Sequence, residues 1–287
     1  MMRSIALVLR TMKKDRVAFA SFLIICFYGL IALLAKFGFL ANPWDIEVAK
    51  SYSAPSFESL QTIFGTDIFG RSVLYKVIQG TRIAMSVGFV TALVSVPIGV
   101  VLGSIAGYFG GWLDEVIVWF YTTLSSIPSI ILLIALAYVL GRGAFAVYVA
   151  LGVTSWVSLA RLIRGEVMKH KSREYVLAAE NLGASNRVRI FRHILPNVFH
   201  IVIINISIQF QTAIKTEVIL SYLGLGIQGQ PSWGVMIDDA KLELARGVWW
   251  QLTTATVAMF FVVLAFNILG DFLRDALDPK LKESLSQ

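Results

Sequence analysis

Four polar side chains recur at one spacing within an otherwise apolar run near residues 198–222. Asn205, Gln209, Thr212 and Thr216 stand at i, i+4, i+7 and i+11 and form a single stripe on a helix. Lys215 and Glu217 lie within the same run, two positions apart, and so about 200° around a helix from each other. They need separate partners. An ionisable side chain at membrane depth costs at least about 2.5–3.5 kcal/mol on insertion scales and faces a bundle interior or a wet cavity. Two chemistries fit the stripe: a hydrogen-bonding wall for a passing polar solute, or polar glue between helices. The candidate pathway-lining set is Asn205, Gln209, Thr212, Lys215 and Thr216, with Glu217 fixing helix packing.

Other chemistry is scarce. The chain has no G-x-x-x-x-G-K-[ST], so it carries no phosphate-cradling loop of that type. Gly224, Gly226 and Gly229 spell G-x-G-x-x-G in "GLGIQG". A dinucleotide fingerprint needs a preceding strand and a βαβ unit, whereas this one follows an apolar run, so the glycines are read as turns. His170, His193 and His200 do not recur at a metal-ligand spacing, and Cys26 is the only cysteine, which excludes an internal disulfide or CxxC site. No G-x-S-x-G or H-E-x-x-H occurs. The sequence therefore points to no catalytic residues, no metal and no cofactor in this chain.

The elements that must position the stripe are membrane helices. The chain has 287 residues, 57% hydrophobic and 15% charged, against about 25% charged in soluble domains. About 20 apolar residues cross a bilayer core, and six segments qualify: roughly 17–40, 83–107, 115–140, 146–163, 198–222 and 250–270. The expectation is an all-α membrane protein with six transmembrane helices and both termini on one side. Sixteen Lys/Arg collect on the side of the termini and of the stretch near residues 161–192, against eight on the other. The richer side is read as cytoplasmic. That placement also accounts for the net charge of +7 without a nucleic-acid partner. Trp44, Trp249 and Trp250 are expected at the outer interface and Trp112 at the inner one.

Within the spans, Gly99, Gly103 and Gly107 continue a four-residue spacing from Ser95, a small-residue face suited to close helix packing. Pro97 and Pro128 are candidate kinks. On the outer side, "GRSVLYKVIQG" places Val73, Leu74, Val77 and Ile78 opposite Arg71, Ser72, Lys76 and Gln79, the pattern of a short helix lying on the interface.

One charge-rich stretch interrupts this plan, "EYVLAAENLGASNRVRIFRHILP", residues 174–196. Tyr175, Ala178, Ala179 and Leu182 share a helical face, and Gly183 permits the left-handed turn that ends the helix. Ser185 or Asn186 can cap a second helix, Arg187 to Leu195, closed by Pro196 before the fifth span. The charges could serve only to enforce topology, but two capped helices with a glycine between them form an ordered docking element.

That stretch resembles the EAA loop of ABC importer permeases. "LAAENLG" is followed by nine residues and a closing "HILP"; Ala178, Ala179, Gly183, Leu195 and Pro196 match, while Leu177 and His193 replace the usual Glu and Ile. "FGTDIFGRSVLYKVIQGTRIAMSVG", "TEVILSYLGLGIQGQPSWGVMI" and "LGDFLRDALDPKL" are similar to the C-type permeases of dipeptide, oligopeptide and nickel importers. Lys215 is outside that pattern. The resemblance implies a type I importer permease fold and a coupling loop comprising Glu174, Tyr175, Ala178, Ala179, Gly183, Ala184, Arg187, Phe191, Leu195 and Pro196.

It also implies partners: a homologous second permease forming a heterodimer, two cytosolic ATPases holding ATP and Mg, an extracytoplasmic binding protein, a peptide substrate and membrane lipid. The expected location is the cytoplasmic membrane of a bacterium or archaeon. The chain divides into 1–60, tail, first span and start of the outer loop; 61–82, outer interfacial segment; 83–278, permease core; and 279–287, cytosolic tail. The substrate expected is a di- or oligopeptide, with nickel or another small solute as the alternative.

Overall fold

A computed structural model describes residues 11–141 and 143–277. The tail 279–287 and several of the counted basic residues, Arg3, Arg10, Arg142, Lys280 and Lys282, lie outside the described residues. The described chain is helical, with two isolated bridges, Glu47 to Arg71 and Thr66 to Ser72, in place of any strand. Its helices are α1 (Arg16–Lys36), α2 (Val73–Phe109), α3 (Gly111–Ser126), α4 (Ser129–Val139), α5 (Ala144–Lys171), α6 (Glu174–Asn181), α7 (Asn186–Tyr222), α8 (Trp233–Leu244) and α9 (Trp250–Leu277). Five of these, α1, α2, α5, α7 and α9, are long and apolar enough to cross a bilayer, and α3 with α4 makes up to a sixth.

The expected span 115–140 is not straight. α3 and α4 meet at 89°, and Ile127 is extended immediately before Pro128, the conformation that proline imposes on the residue before it. Pro97, by contrast, sits inside α2 without breaking its 37 residues. At 1.5 Å per residue α2 is about 55 Å long, well beyond a bilayer core of about 30 Å. Its first turns are the segment expected to lie separately on the interface. Lys76 and Gln79, expected to face water there, are each only 2% exposed.

Those turns are buried by a polar network. Asp67 Oδ1 accepts from the amides of Phe69 and Arg71 (2.8 and 2.9 Å), and Oδ2 accepts from Arg71 Nε and Lys76 Nζ (2.8 and 3.0 Å). Lys76 Nζ also donates to Gln251 Oε1 on α9 at 2.8 Å. Burial alone would raise the Asp67 pKa, but Lys76 and the Arg71 hydrogen bonds outweigh it and hold the carboxyl below its ordinary value. Trp250, expected at the interface, is buried as well. Its indole N–H donates to the Thr66 carbonyl at 2.9 Å, joining α9 to the loop, whereas Trp249 is exposed.

α2 and α5 share the most extensive contact in the bundle. The glycine spacing is the register of that contact. A Cβ would lie 3.0 Å from the Trp156 carbonyl oxygen at Gly99, 2.6 Å from that of Ala160 at Gly103 and 2.5 Å from that of Arg164 at Gly107. Arg164 in turn grips Asp114 of α3 through two nitrogens, at 2.5 and 2.6 Å. In the "GLGIQG" segment, Gly224 and Gly229 have φ of 72° and 71°, the left-handed values that permit its turns.

Candidate functional site

At the end of the bundle that carries the basic stretch, α6, a turn and the start of α7 form a compact projection. α6 ends in a Schellman motif: the Ala184 amide donates to Ala179 (3.0 Å) and the Gly183 amide to Glu180 (2.8 Å). Gly183 takes φ 82° to close it. Ser185 then caps α7 by accepting from the Val188 amide at 3.5 Å. Glu174 occupies the first turn of α6, where the helix dipole favours an acid.

The second helix of the stretch does not stop at Pro196. It runs on into the membrane segment as one helix, α7. A π turn over Arg189–Ile194 precedes the proline, with the Leu195 amide bonded five residues back to Ile190. Proline lacks the N–H for a normal helical bond, and the wider turn accommodates that loss locally. The projection is therefore continuous with a membrane span.

One face of the projection is anchored. Val176, Ile190 and Ile194 join Tyr108 of α2, Leu159, Ile163 and Val167 of α5, and Val198 of α7 in a single apolar cluster. Polar contacts add to it. Arg189 pairs with Glu180 and its guanidinium lies 5.7 Å from the Tyr108 ring centre; Tyr108 donates to Asn186 Oδ1 at 3.1 Å. His170 Nδ1 and Tyr175 Oη are 2.7 Å apart, tying α6 to α5. Of the small pair, Ala179 turns inward while Ala178 is exposed. Ala184 and Leu195 are partly covered, and Glu174, Arg187 and Pro196 are exposed.

Several apolar side chains of the projection are open. Leu182 is 88% exposed and Phe191 65%, beside exposed Tyr175, Leu177 and Val188. Leu177 and Leu182 were absent from the candidate docking set. Two leucines left in water on an ordered element were a signal that helical periodicity alone did not carry.

The polar stripe divides. Asn205 and Gln209 are buried: Gln209 accepts from Ser95 Oγ on α2 (2.6 Å) and donates to the Ser155 carbonyl on α5 (3.1 Å) and to Asn205 Oδ1 (3.2 Å). Thr212 and Lys215 are exposed on the chain, and Thr216 is partly so. Glu217 is buried and accepts from Ser221 Oγ at 2.6 Å. Asn205 also lines a cleft of about 370 Å³ between α5, α7 and α9. One spacing thus yields two environments: α2 and α5 cover Asn205 and Gln209, while Thr212 and Lys215 are left exposed among the described residues.

Comparison with known proteins agrees with this architecture. Residues 99–283 match the model of the binding-protein-dependent transport system inner membrane component family. The dipeptide transport system permease protein DppC of Bacillus subtilis is 38% identical over 95% of this chain and 85% of its own length. The oligopeptide transport system permease protein OppC of the same organism is 37% identical over 88% and 83%. The glutathione transport system permease protein GsiD of Pectobacterium atrosepticum is 36% identical over 95% and 90%. A multi-pass bundle of this kind, matched over most of its length, belongs to the family of binding-protein-dependent transport system inner membrane components.

Proposed function

We propose that this chain forms half of the translocation pathway of an ATP-driven importer of di- or oligopeptides. The relatives above are named for dipeptides, oligopeptides and glutathione, itself a small peptide. A homologous second permease supplies the other half, covering the open Thr212–Thr216 side of the stripe. An extracytoplasmic binding protein delivers the peptide. The basic end faces the cytoplasm of a bacterial or archaeal cell, as the positive-inside rule requires, and both termini lie there. The type I importer core occupies 83–278.

Energy comes from two partner ATPases that bind ATP and Mg. The observation that carries this reading is an exposed apolar face, Leu182 and Phe191, built on an element continuous with α7 and clamped to α2 and α5. Exposed apolar side chains on a rigid support are what a partner groove buries. Closure of the ATPase pair displaces the projection; because α7 runs without a break from Asn186 to Tyr222, the displacement passes through the π turn at Arg189–Ile194 to the polar stripe. Access to the pathway then switches from one side of the membrane to the other.

Co-purification tests the docking. The intact chain should retain its ATPases, and Leu182→Glu or Phe191→Glu should lose them, since both side chains project outward and neither supports the fold. Unchanged association in both variants would sink the proposal.

A further inference from the structure

The cleft between α5, α7 and α9 has a composition unlike the rest of the membrane bundle. Its wall of isoleucines, including Ile204, is interrupted by Arg161 and Glu166 of α5, Arg274 of α9 and Asn205 of α7. Its volume, about 370 Å³, falls within the range of about 300–1,000 Å³ for small-molecule sites.

Asn205 gives the cleft its direction. The residue is 7% exposed, and its Oδ1 is taken by Gln209. Its amide N–H₂ has no acceptor among the described residues, although the side chain lines the cleft. That donor opens to the cleft, where a ligand's acceptor can reach it. Arg274 likewise has no partner among the described residues. Arg161 is held toward α3, with one nitrogen on Ser125 Oγ at 2.8 Å and its guanidinium 4.9 Å from the Tyr121 ring centre, and keeps further donors. Glu166 holds one loose ion pair, 3.6 Å to Lys169, and lies 3.8 Å from the His170 ring.

We infer that this cleft is a subsite for the charged ends of a peptide: Arg161, Arg274 and the Asn205 amide receive the terminal carboxylate, and Glu166 receives the terminal ammonium. Both signs of charge within one apolar-walled space match a zwitterion and select against an apolar solute or a simple cation. The backbone ends are common to every peptide, so such a subsite tolerates any side chain. The inference rests on the peptide-import reading and adds a recognition step inside the membrane subunit.

Gly165 supplies the probe position. It lines the cleft, and a Cβ there meets nothing within 4 Å, so Gly165→Cys disturbs little. In a Cys26→Ala background that thiol is the only one in the chain. Labelling by a water-soluble maleimide is followed in the complete reconstituted complex. Alanyl-alanine should slow it, while alanyl-alaninamide, which lacks the carboxylate, should not. Arg161→Gln or Arg274→Gln should raise the alanyl-alanine concentration needed for protection about tenfold, the value of one charge-assisted hydrogen bond. Equal protection by the amide, or import of alanyl-alanine without protection, would overturn the subsite and leave the import reading standing. Absence of both import and protection would overturn both.

Discussion

Arg189 pairs with Glu180 across the Gly183 turn, so the two helices of the projection are fastened to each other as well as to the bundle. The same guanidinium lies over the Tyr108 ring, at the end of the long helix α2. One arginine thus connects α6, α7 and α2. Glu180 is half exposed while Arg189 is largely covered, so the pair fixes the orientation of the two helices on the bundle.

It follows that Arg189→Met should leave expression and membrane insertion intact while reducing transport more than it reduces stability. Melting of the purified chain and uptake by the complex, measured on one preparation, check this. A fall in melting temperature proportionate to the loss of uptake would assign Arg189 to stability alone.

Gly103→Leu should abolish a folded product. Even its Cβ would fall 2.6 Å from the Ala160 carbonyl oxygen, a backbone atom that cannot step aside without separating α2 from α5. Gly165→Leu, with open space at its Cβ, serves as the control and should express normally. Size-exclusion profiles of the two variants decide the matter.

Lys76→Met should destabilise by less than the penalty of about 3–5 kcal/mol usual for stranding a buried charge, because Asp67, only 1% exposed, keeps its Arg71 ion pair and the two amides on Oδ1. Adding Asp67→Asn should recover none of that loss, since Arg71 then loses its carboxylate partner. Protease resistance of the segment between α1 and α2 reports the effect.

Glu243 gives a pH dependence at the same end. It is 2% exposed and neither side-chain oxygen has a well-formed hydrogen bond among the described residues. Burial raises its pKa above the ordinary 4.5; Lys76 and the nearby Ile68 amide oppose the shift, while Asp67 and Asp239 add to it. The folded state therefore holds the proton more tightly than the unfolded one, so stability falls as pH rises from about 4.5 through the raised value. Glu243→Gln should raise the melting temperature at pH 8 and lose that advantage on acidification. A gain that persists unchanged at pH 4 would contradict the assignment.

The spans and the turn at Gly183 were legible because they rest on local signals: apolar length, small-residue spacing and a residue free to take positive φ. Lys76 was not. Its place opposite Val73 and Val77 gives the pattern of a surface helix, and its partner Gln251 lies 175 positions away in the chain. The prolines show the same limit. Pro97, Pro128 and Pro196 look alike in sequence, yet one is absorbed, one breaks a span and one follows a π turn. The neighbours decide which. The stripe was visible as a period, but burial of Asn205 and Gln209 depends on Ser95 and Ser155 from other helices.

Uptake of a labelled dipeptide by proteoliposomes containing both permeases, both ATPases and the binding protein tests the central claim most directly. Accumulation should require ATP, saturate, be competed by unlabelled peptide and not by nickel, and be lost in Leu182→Glu. Saturable nickel uptake without peptide competition would contradict the account.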